Sequence, residues 1–278
     1  MLSYQHSYHA GNFADVHKHV GLVLLLRHLQ RKPAPICYVD CHAGRGIYDL
    51  QGEEAQKTRE AEGGILKLVS AEGLPADVRD YLDLVASVNP AGGVRYYPGS
   101  AALARAALRA GDRAILLELH PQEYLALKRS VRGDKRIGVH ARDCYEGLPA
   151  LLPPAIRRGL VLIDPSYEVK DEFDDVVPLL LRALERWPNA ICVLWYPVLA
   201  ARRHERLLQR IGEHAPARTL ASEIRLPAGA VGLQGSGLVV VNTPWQFDER
   251  LGAAMRAVVP ALGIAGPEAH SLRWLTPP

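Results

Sequence analysis

Cysteine is scarce in this 278-residue chain, and its spacing gives no sign of metal binding or disulfides. Cys37, Cys41, Cys144 and Cys192 form no Cys-x-x-Cys pair, and each lies in or just after an apolar run. Cysteines placed in this way behave as small buried hydrophobic side chains in a reducing compartment. We therefore expect a protein without disulfides and without a cysteine-based metal site.

Long apolar runs and a secretory leader are also missing. The opening residues, MLSYQHSYHAGN, contain no basic stretch followed by an apolar core. The longest early apolar run, residues 20–26, is too short to cross a bilayer, which takes about 20 residues. The net charge of +3 is compatible with a polyanionic partner but too small to indicate one. We expect a soluble, cytoplasmic and monomeric protein with no membrane partner.

Apolar runs that alternate with helical patterns indicate the fold class. Asn12, with Asp15 three residues on, predicts a helix start, and the helix should end near Arg31 before Pro33 and Pro35. Strands are predicted at residues 36–40, 114–119, 137–140, 160–164 and 191–196, and an antiparallel pair at 222–226 and 237–242. The alternation predicts an α/β fold with a mixed, mainly parallel sheet and helices on both faces.

Residues 49–95 differ in character from the rest of the chain. Residues 51–62 are almost wholly polar. After Leu74 and Pro75, a helical pattern places four apolar side chains on one face: Val78, Tyr81, Leu82 and Val85. We expect an inserted helical subdomain within one domain that covers residues 1–278.

Polar or aromatic residues follow five of the predicted strands. The segments are Asp40 with CHAGRG, Glu118-Leu119-His120, Asp143-Cys144-Tyr145, Asp164-Pro165-Ser166-Tyr167 and Trp195-Tyr196-Pro197. Ligands of open α/β sheets bind outside the carboxyl ends of the strands. Five such endings together predict one binding site at that edge.

The glycine loop after the first strand points away from phosphate binding. It has Gly44 and Gly46 but no third glycine, and no Gly-Lys-Ser/Thr follows. Such a loop suits a nucleoside with a small charged tail, as in S-adenosylmethionine (SAM). Glu118 would then accept hydrogen bonds from the ribose, and Asp143 one from the cofactor adenine. The alternative is that these acids only cap loops or helices.

The Asp-Pro-Ser-Tyr segment fits methyl transfer to an amine on a nucleobase. The lone pair of such an amine is delocalised into the ring. A carboxylate (Asp164) and a backbone carbonyl (Pro165) can hold both N–H bonds out of the ring plane, which directs the lone pair toward a methyl group. Proline fixes the loop, and Tyr167 can stack on the base, which is worth about 1–3 kcal/mol.

The chain resembles the RlmJ family of bacterial 23S rRNA adenine-N6 methyltransferases. A strand-ending Asp/Asn/Ser-Pro-Pro-aromatic motif is typical of SAM-dependent amino-methyltransferases. The similarity to RlmJ extends over LSYQHSYHAGNFADVHKH, VDCHAG, RYYPGS, LELHP, DPSY, LWYP and GSGLVVVNTPW, in order from residue 2 to about residue 245.

The resemblance implies a class I SAM-dependent methyltransferase with a Rossmann-like, seven-stranded sheet and a helical subdomain inserted at residues 49–95. Residues 1–20 would close over the cofactor. Asp164, with the Pro165 carbonyl, would be the catalytic acceptor, Tyr167 would stack on the target base, and Tyr4 would lie near it. Cofactor contacts are implied for Lys18, His19, His42, Ser100, Glu118, Asp143 and Cys144. The partner would be free or partly assembled 23S rRNA.

One residue departs from the family motif. Ser166 stands where the family has proline, so we expect a less rigid loop and a working but slower enzyme. Two alternatives stay open: a DNA adenine-N6 methyltransferase, or a SAM- or RNA-binding protein that Ser166 has weakened catalytically.

Histidines and arginines offer two weaker signals. His17 and His19 are two residues apart on a predicted helix and point to different faces, so we expect no metal site. The arginines of residues 202–210 form either an RNA-binding face or an ordinary solvated helix face.

Overall fold

The computed structural model describes residues 5–169, 171–216 and 218–278. Its helices are α1 (Phe13–Gln30), α2 (Glu53–Thr58), α3 (Ile65–Leu68), α4 (Ala76–Ser87), α5 (Ser100–Ala107), α6 (Pro121–Ser130), α7 (Cys144–Leu151), α8 (Glu172–Arg186), α9 (Arg203–His214) and α10 (Phe247–Ala261). Its strands are β1 (Cys37–Asp40), β2 (Ile47–Asp49), β3 (Tyr96–Pro98), β4 (Arg113–Leu117), β5 (Ile137–His140), β6 (Gly159–Ile163), β7 (Ile191–Val198), β8 (Thr219–Arg225), β9 (Gly235–Val241) and β10 (His270–Thr276). Short 3₁₀ turns cover His6–Tyr8 and Glu60–Gly63.

The main sheet has the order β10-β8-β9-β7-β6-β1-β4-β5. From β5 to β7 all neighbours are parallel, and from β7 to β10 all are antiparallel. The predicted α/β class, the mainly parallel sheet and the antiparallel pair β8–β9 are therefore confirmed. The sheet has eight strands where seven were expected, because residues 270–276 add an edge strand to β8.

The sheet is buried on both faces, and its sequence explains why. β6 reads Gly-Leu-Val-Leu-Ile, and every residue of it is buried. Parallel strands covered by helices on both faces have such continuous apolar runs. One core layer lies under α1, α4, α5 and α10, and the other lies under α7, α8 and α9. Residues at the ends of the strands are thereby held on a rigid edge.

Helix α1 begins where the sequence predicts. The Asn12 side chain accepts a hydrogen bond from the Asp15 backbone N–H at 2.9 Å, which caps the first turn. The helix is buried nearly all round, because it contacts β9 on one side and α4, α5 and α10 on others. Its first two turns therefore bring polar residues into the interior of the protein.

The segment between β1 and α5 is largely helical, as predicted. β2 pairs with β3 as a separate antiparallel ribbon, and α2, α3 and α4 lie between them. In α4 the buried face is formed by Val78, Tyr81, Leu84 and Val85, while Leu82 is only partly buried. That this segment is a subdomain stays a prediction.

His17 is the centre of a buried polar network between α1 and the main sheet. Its Nδ1 lies 3.0 Å from Ser236 Oγ and its Nε2 lies 2.9 Å from Ser222 Oγ. Ser222 Oγ also lies 3.0 Å from His270 Nε2, and the Trp195 indole N–H donates to Ser236 Oγ at 3.0 Å. The network joins α1 to β7, β8, β9 and β10. It uses both ring nitrogens of His17, so it leaves neither for a metal.

Buried neutral histidines predict that the fold is sensitive to acid. Burial lowers the pKa of His17 to about 3 and that of His42 to about 4. The unfolded chain binds protons at these residues once the pH falls below about 6.5, whereas the folded chain does not. The free energy of unfolding should therefore fall as the pH drops from about 6.5 to 4, by up to about 1.4 kcal/mol per pH unit for each such histidine.

Urea unfolding at pH 7, 6 and 5 would measure this effect. The urea midpoint should decrease at each step, and His17→Gln should make the decrease shallower. Equal midpoints at pH 7 and 5 would contradict the burial of neutral imidazoles.

Candidate active site

The five strand-end segments meet around one cavity of about 990 Å³, as predicted. The wall includes residues from each of them: His42, Glu118, Asp143, Asp164 and Trp195. Residues 6–19 and the loop between β8 and β9 complete the wall. Residues far apart in sequence thus form a single site at the carboxyl edge of the sheet.

Asp40, at the end of β1, holds the glycine loop. This carboxylate is fully buried and accepts hydrogen bonds from the Tyr38 hydroxyl at 2.6 Å and the Ser100 hydroxyl at 2.7 Å. It also accepts from the His42 backbone N–H at 3.2 Å. Burial raises the pKa of Asp40, although these hydrogen bonds oppose the shift. Ser100 lines the cavity, but its hydroxyl donates to Asp40.

Glu118, at the end of β4, ties together two neighbouring loops. One carboxylate oxygen accepts from the Gly44 backbone N–H at 2.8 Å, and the other accepts from the His120 N–H at 2.7 Å. Gly44 has φ +59°, a left-handed conformation that glycine adopts at little cost. Burial raises the pKa of Glu118. Carboxylate oxygens accept more than one hydrogen bond, so Glu118 can still accept from a ligand.

Asp143 and Cys144 form the third segment of the wall. The Asp143 side chain caps α7 by accepting from the Tyr145 backbone N–H at 2.8 Å. Cys144 Sγ lies 3.2 Å from His42 Nε2, and burial raises the pKa of this thiol. Both residues line the cavity. The structure thus shows the capping role for Asp143 and leaves its carboxylate at the cavity wall.

The Asp164 carboxylate, which is partly buried, forms an ion pair with the buried Lys18. Lys18 Nζ lies 2.5 Å from Asp164 Oδ2 and 3.0 Å from Asp15 Oδ1. Burial lowers the pKa of Lys18, but the two carboxylates outweigh it and raise the pKa above its ordinary value. Burial alone would raise the pKa of Asp15. The nearby His6, Lys18 and His19 side chains have the larger, opposite effect, so the pKa of Asp15 is lowered. Lys18 therefore stays protonated beside Asp164.

His42 positions the backbone of Asp164. Its Nδ1 accepts a hydrogen bond from the Asp164 backbone N–H at 3.1 Å, so Nε2 carries the proton and faces Cys144. Both ring nitrogens are thus used by protein groups. The structure thus shows that His42 holds the backbone of the loop that carries Asp164, a contact that the sequence did not reveal.

Tyr167 has an unusual backbone conformation. Its φ is +55°, which is uncommon outside glycine. Its hydroxyl donates to the Trp195 carbonyl at 2.8 Å, and its ring lies 4.4 Å from that of Phe173. These contacts fix the ring at the cavity wall beside Pro165.

Ser166 forms hydrogen bonds that proline could not. Its hydroxyl accepts from the Glu168 backbone N–H at 3.4 Å. The nearby Glu172 carboxylate has its pKa raised by burial, while hydrogen bonds from the Tyr167 N–H and the Ser166 hydroxyl oppose the shift. These bonds restrain the loop in place of the missing pyrrolidine ring.

Ser166→Pro is therefore expected to preserve or raise kcat, because neither Asp164 nor the Pro165 carbonyl is changed. The gain should be modest, since the hydrogen bonds of Ser166 already restrain the loop. Steady-state methyl transfer by wild type and variant would measure it, with Ser166→Ala as the control that removes the hydroxyl without adding the ring. Loss of activity in Ser166→Pro would contradict this view of the loop.

The cavity suits a cationic ligand and not a phosphate. Eight carboxylate residues line it, against two side chains with a permanent positive charge, Lys18 and Arg142. His19 also lines it, and its buried Nε2 has no hydrogen-bond partner among the described residues. Burial lowers the pKa of His19 to about 3, so the ring is neutral and Nε2 can donate or accept according to its tautomer. An unused polar atom and an acidic wall fit SAM, which carries a sulfonium and an ammonium group.

Several expected residues lie elsewhere or were missed. Tyr4 lies outside the described residues. Arg206 and Arg210 both approach Asp174, at 3.8 and 2.9 Å, so part of the charge of α9 is paired within the protein. Leu119, large and exposed at the cavity wall, was not proposed as a site residue.

Two other kinds of feature, a metal site and a membrane-spanning helix, are absent from the parts of the chain that the structure describes. Among residues 5–169, 171–216 and 218–278, no group of three or more His, Cys, Asp or Glu side chains could hold a metal ion. No helix in these same ranges is long and apolar enough to cross a membrane.

Comparison with known proteins decides the family. Residues 33–276 match the family model described as ribosomal RNA large subunit methyltransferase D, RlmJ. The chain belongs to the RlmJ family. It is 37% identical to the ribosomal RNA large subunit methyltransferases J of Escherichia coli and Haemophilus influenzae, in each case over 100% of both chains.

A solved structure is similar to this chain over nearly its whole length. A Legionella pneumophila protein is 34% identical and superposes with a TM-score of 0.87, over 95% of this chain and 97% of that one. The protein is therefore a methyltransferase of the class I fold, and its methyl donor is SAM. The predicted family, fold and cofactor are confirmed, and the roles of the individual site residues stay predictions.

Proposed function

We propose that this protein transfers a methyl group from SAM to the exocyclic N6 amine of an adenine in 23S rRNA. Membership in the RlmJ family supports the large-subunit rRNA substrate. The observation that supports the amine chemistry is the Asp164 carboxylate, which a protonated Lys18 holds at the cavity wall next to Pro165.

The role of Asp164 follows from its partners. Lys18 occupies Oδ2, so Oδ1 is the oxygen that accepts from the target amine. The Pro165 carbonyl accepts from the second N–H bond, and together the two acceptors turn the lone pair out of the ring plane. SAM supplies an electrophilic methyl group on a sulfonium. The amine nitrogen would form the new N–C bond as the S–C bond breaks, which leaves S-adenosylhomocysteine, and the methylated amine would pass one proton to Asp164 Oδ1.

The adenine ring is held by stacking. Tyr167 has a fixed ring at the wall, and stacking on an aromatic side chain is worth about 1–3 kcal/mol per base. Tyr4 is proposed to close over the same base. Alignment of amine and methyl group accounts for most of the acceleration, since well-oriented pairs reach effective molarities on the order of 10⁵–10⁸ M.

The cofactor is proposed to lie between the residues named from the sequence. Glu118 accepts from the ribose hydroxyls, Asp143 accepts from the adenine amine, and His19 uses its unpaired Nε2 on the polar tail. Residues 1–20 close over it. Cavity contacts are also proposed for Lys18, His42, Ser100 and Cys144.

The substrate is proposed to be free or partly assembled RNA, methylated by a monomer in the cytoplasm. Asp164 lies inside the cavity, so the adenine has to leave its base stack to reach it. RNA loops and irregular helices present bases that are already splayed out.

Methyl transfer to purified acceptors tests the proposal. Unmodified 23S rRNA should accept labelled methyl groups, whereas duplex DNA of equal adenine content should accept few. The matched control is Asp164→Ala. Transfer to DNA and not to RNA would establish the DNA methyltransferase alternative. Labelling of 23S rRNA by Asp164→Ala at the wild-type level would show that methyl transfer does not depend on Asp164.

A further inference from the structure

The loop between β8 and β9, residues 226–234, carries an exposed apolar side chain at the mouth of the catalytic cavity. Val231 is 97% exposed, and it lines the cavity together with Gly232 and Leu233. Gly229 and Gly232, on either side of Val231, have φ of +96° and +76°. The two left-handed glycines produce sharp turns that leave Val231 at the tip.

The base of this loop is firmly attached to the sheet. Leu226 N–H donates to the Gln234 carbonyl at 2.8 Å, and Gln234 N–H donates to the Val198 carbonyl at 2.8 Å. The Gln234 side chain also donates to the Ala230 carbonyl at 3.2 Å. The tip is therefore presented from a fixed base that is bonded to the end of β7.

The topology puts this loop on the substrate side of Asp164. The segments that carry the proposed cofactor residues follow β1, β4 and β5, which form one end of the sheet. β7, β9 and β8 lie on the other side of β6, whose end carries Asp164. A base that approaches Asp164 from outside the cofactor pocket thus passes the β8–β9 loop.

We propose that Val231 acts as a wedge that enters the RNA base stack at the position from which the target adenine is withdrawn. This rests on the proposed function. Extruding a stacked base costs a few kcal/mol, and apolar side chains that enter the vacated step offset part of that cost. Val231 is β-branched and therefore stiff, so little side-chain freedom is lost when it is inserted.

RNA, and not a protein, is the partner that these features fit. Residues 227–233 carry no charge, so no carboxylate of the loop repels the phosphate backbone. Val231 lines the same cavity that would receive the base. A surface for docking another protein would not need to form part of that cavity wall.

Val231→Ala tests the wedge on two RNA hairpins of the same sequence around one adenine. In the first the adenine is paired within the stem, and in the second it faces an abasic site. Val69→Ala is the matched control, since Val69 is 39% exposed and lies away from the cavity wall. A second readout is the fluorescence of 2-aminopurine in place of the target adenine, in the presence of S-adenosylhomocysteine.

With Val231→Ala, kcat/KM should fall about tenfold on the paired adenine and change by less than about twofold on the unpaired one. The fluorescence increase on binding the paired RNA should shrink in parallel. An equal effect on both RNAs, or none, would overturn the wedge while leaving the proposed function intact. Methylation of neither RNA by wild type would instead overturn the proposed function, and the wedge with it.

Discussion

Asp164→Ala is expected to lower kcat by about a thousandfold, because it removes the acceptor that prepares the amine for attack. Asp164→Asn keeps an acceptor oxygen but loses the charge that pairs with Lys18 at 2.5 Å. The asparagine variant should therefore retain more activity than the alanine variant. Single-turnover methyl transfer to 23S rRNA measures the chemical step directly.

Binding of SAM is the control for this prediction. Asp164 is assigned to the amine and not to the cofactor, so calorimetry should give similar SAM affinities for wild type and both variants. Asp164→Ala activity within tenfold of wild type would contradict the catalytic assignment. If the Asp164 variants also lost SAM binding, Asp164 would instead be assigned to the cofactor site.

Lys18→Met should lower both stability and activity. Lys18 is buried between Asp15 and Asp164, and removing its charge takes the ammonium group away from both carboxylates, while Asp15 keeps His6 at 2.9 Å. Breaking a buried ion pair in this way costs about 3–5 kcal/mol. Methyl transfer should fall by about a hundredfold as well, because Asp164 loses the group that fixes its orientation.

Two further variants separate these effects. Lys18→Met combined with Asp15→Asn removes one of the two carboxylate charges that Lys18 compensated, so it should recover part of the unfolding free energy without recovering kcat. Lys18→Arg keeps the charge and should be the least affected in stability. If Lys18→Met unfolds at the same urea concentration as wild type, the buried ion pair has no structural role.

Much of the site could be predicted because its residues follow buried strands. Asp164 directly follows an apolar run, and in a parallel sheet such positions share one edge. The same rule brought Glu118 and Asp143 to the cavity wall. Local sequence was sufficient here, since the strand pattern and the position of the loop are both encoded within a few residues.

Contacts across the sheet could not be predicted in that way. Lys18 and Asp164 are 146 residues apart, and His42 and Asp164 are 122 apart. Nothing in the local pattern pairs them, so the contacts of Lys18 and His42 with Asp164 could not be predicted, and the cofactor contacts of these two residues stay predictions. The His17 network was missed for the same reason, because its serines lie on β8 and β9.

The edge of the sheet also escaped prediction. Strand β10 alternates between partly buried and exposed positions and lacks the continuous apolar run of β6. Edge strands are stabilised by pairing with one neighbour, and here the backbone of β8 supplies it. A half-polar edge strand of this kind resembles a loop in the sequence.

The most direct test is a methylation map of 23S rRNA from cells that lack this gene. Mass spectrometry of RNA fragments should show one adenine without its N6-methyl group. The mark should return when the wild-type gene is restored, and it should stay absent with Asp164→Ala. An unchanged map in the deletion strain, or full restoration by Asp164→Ala, would contradict adenine-N6 methylation at this site.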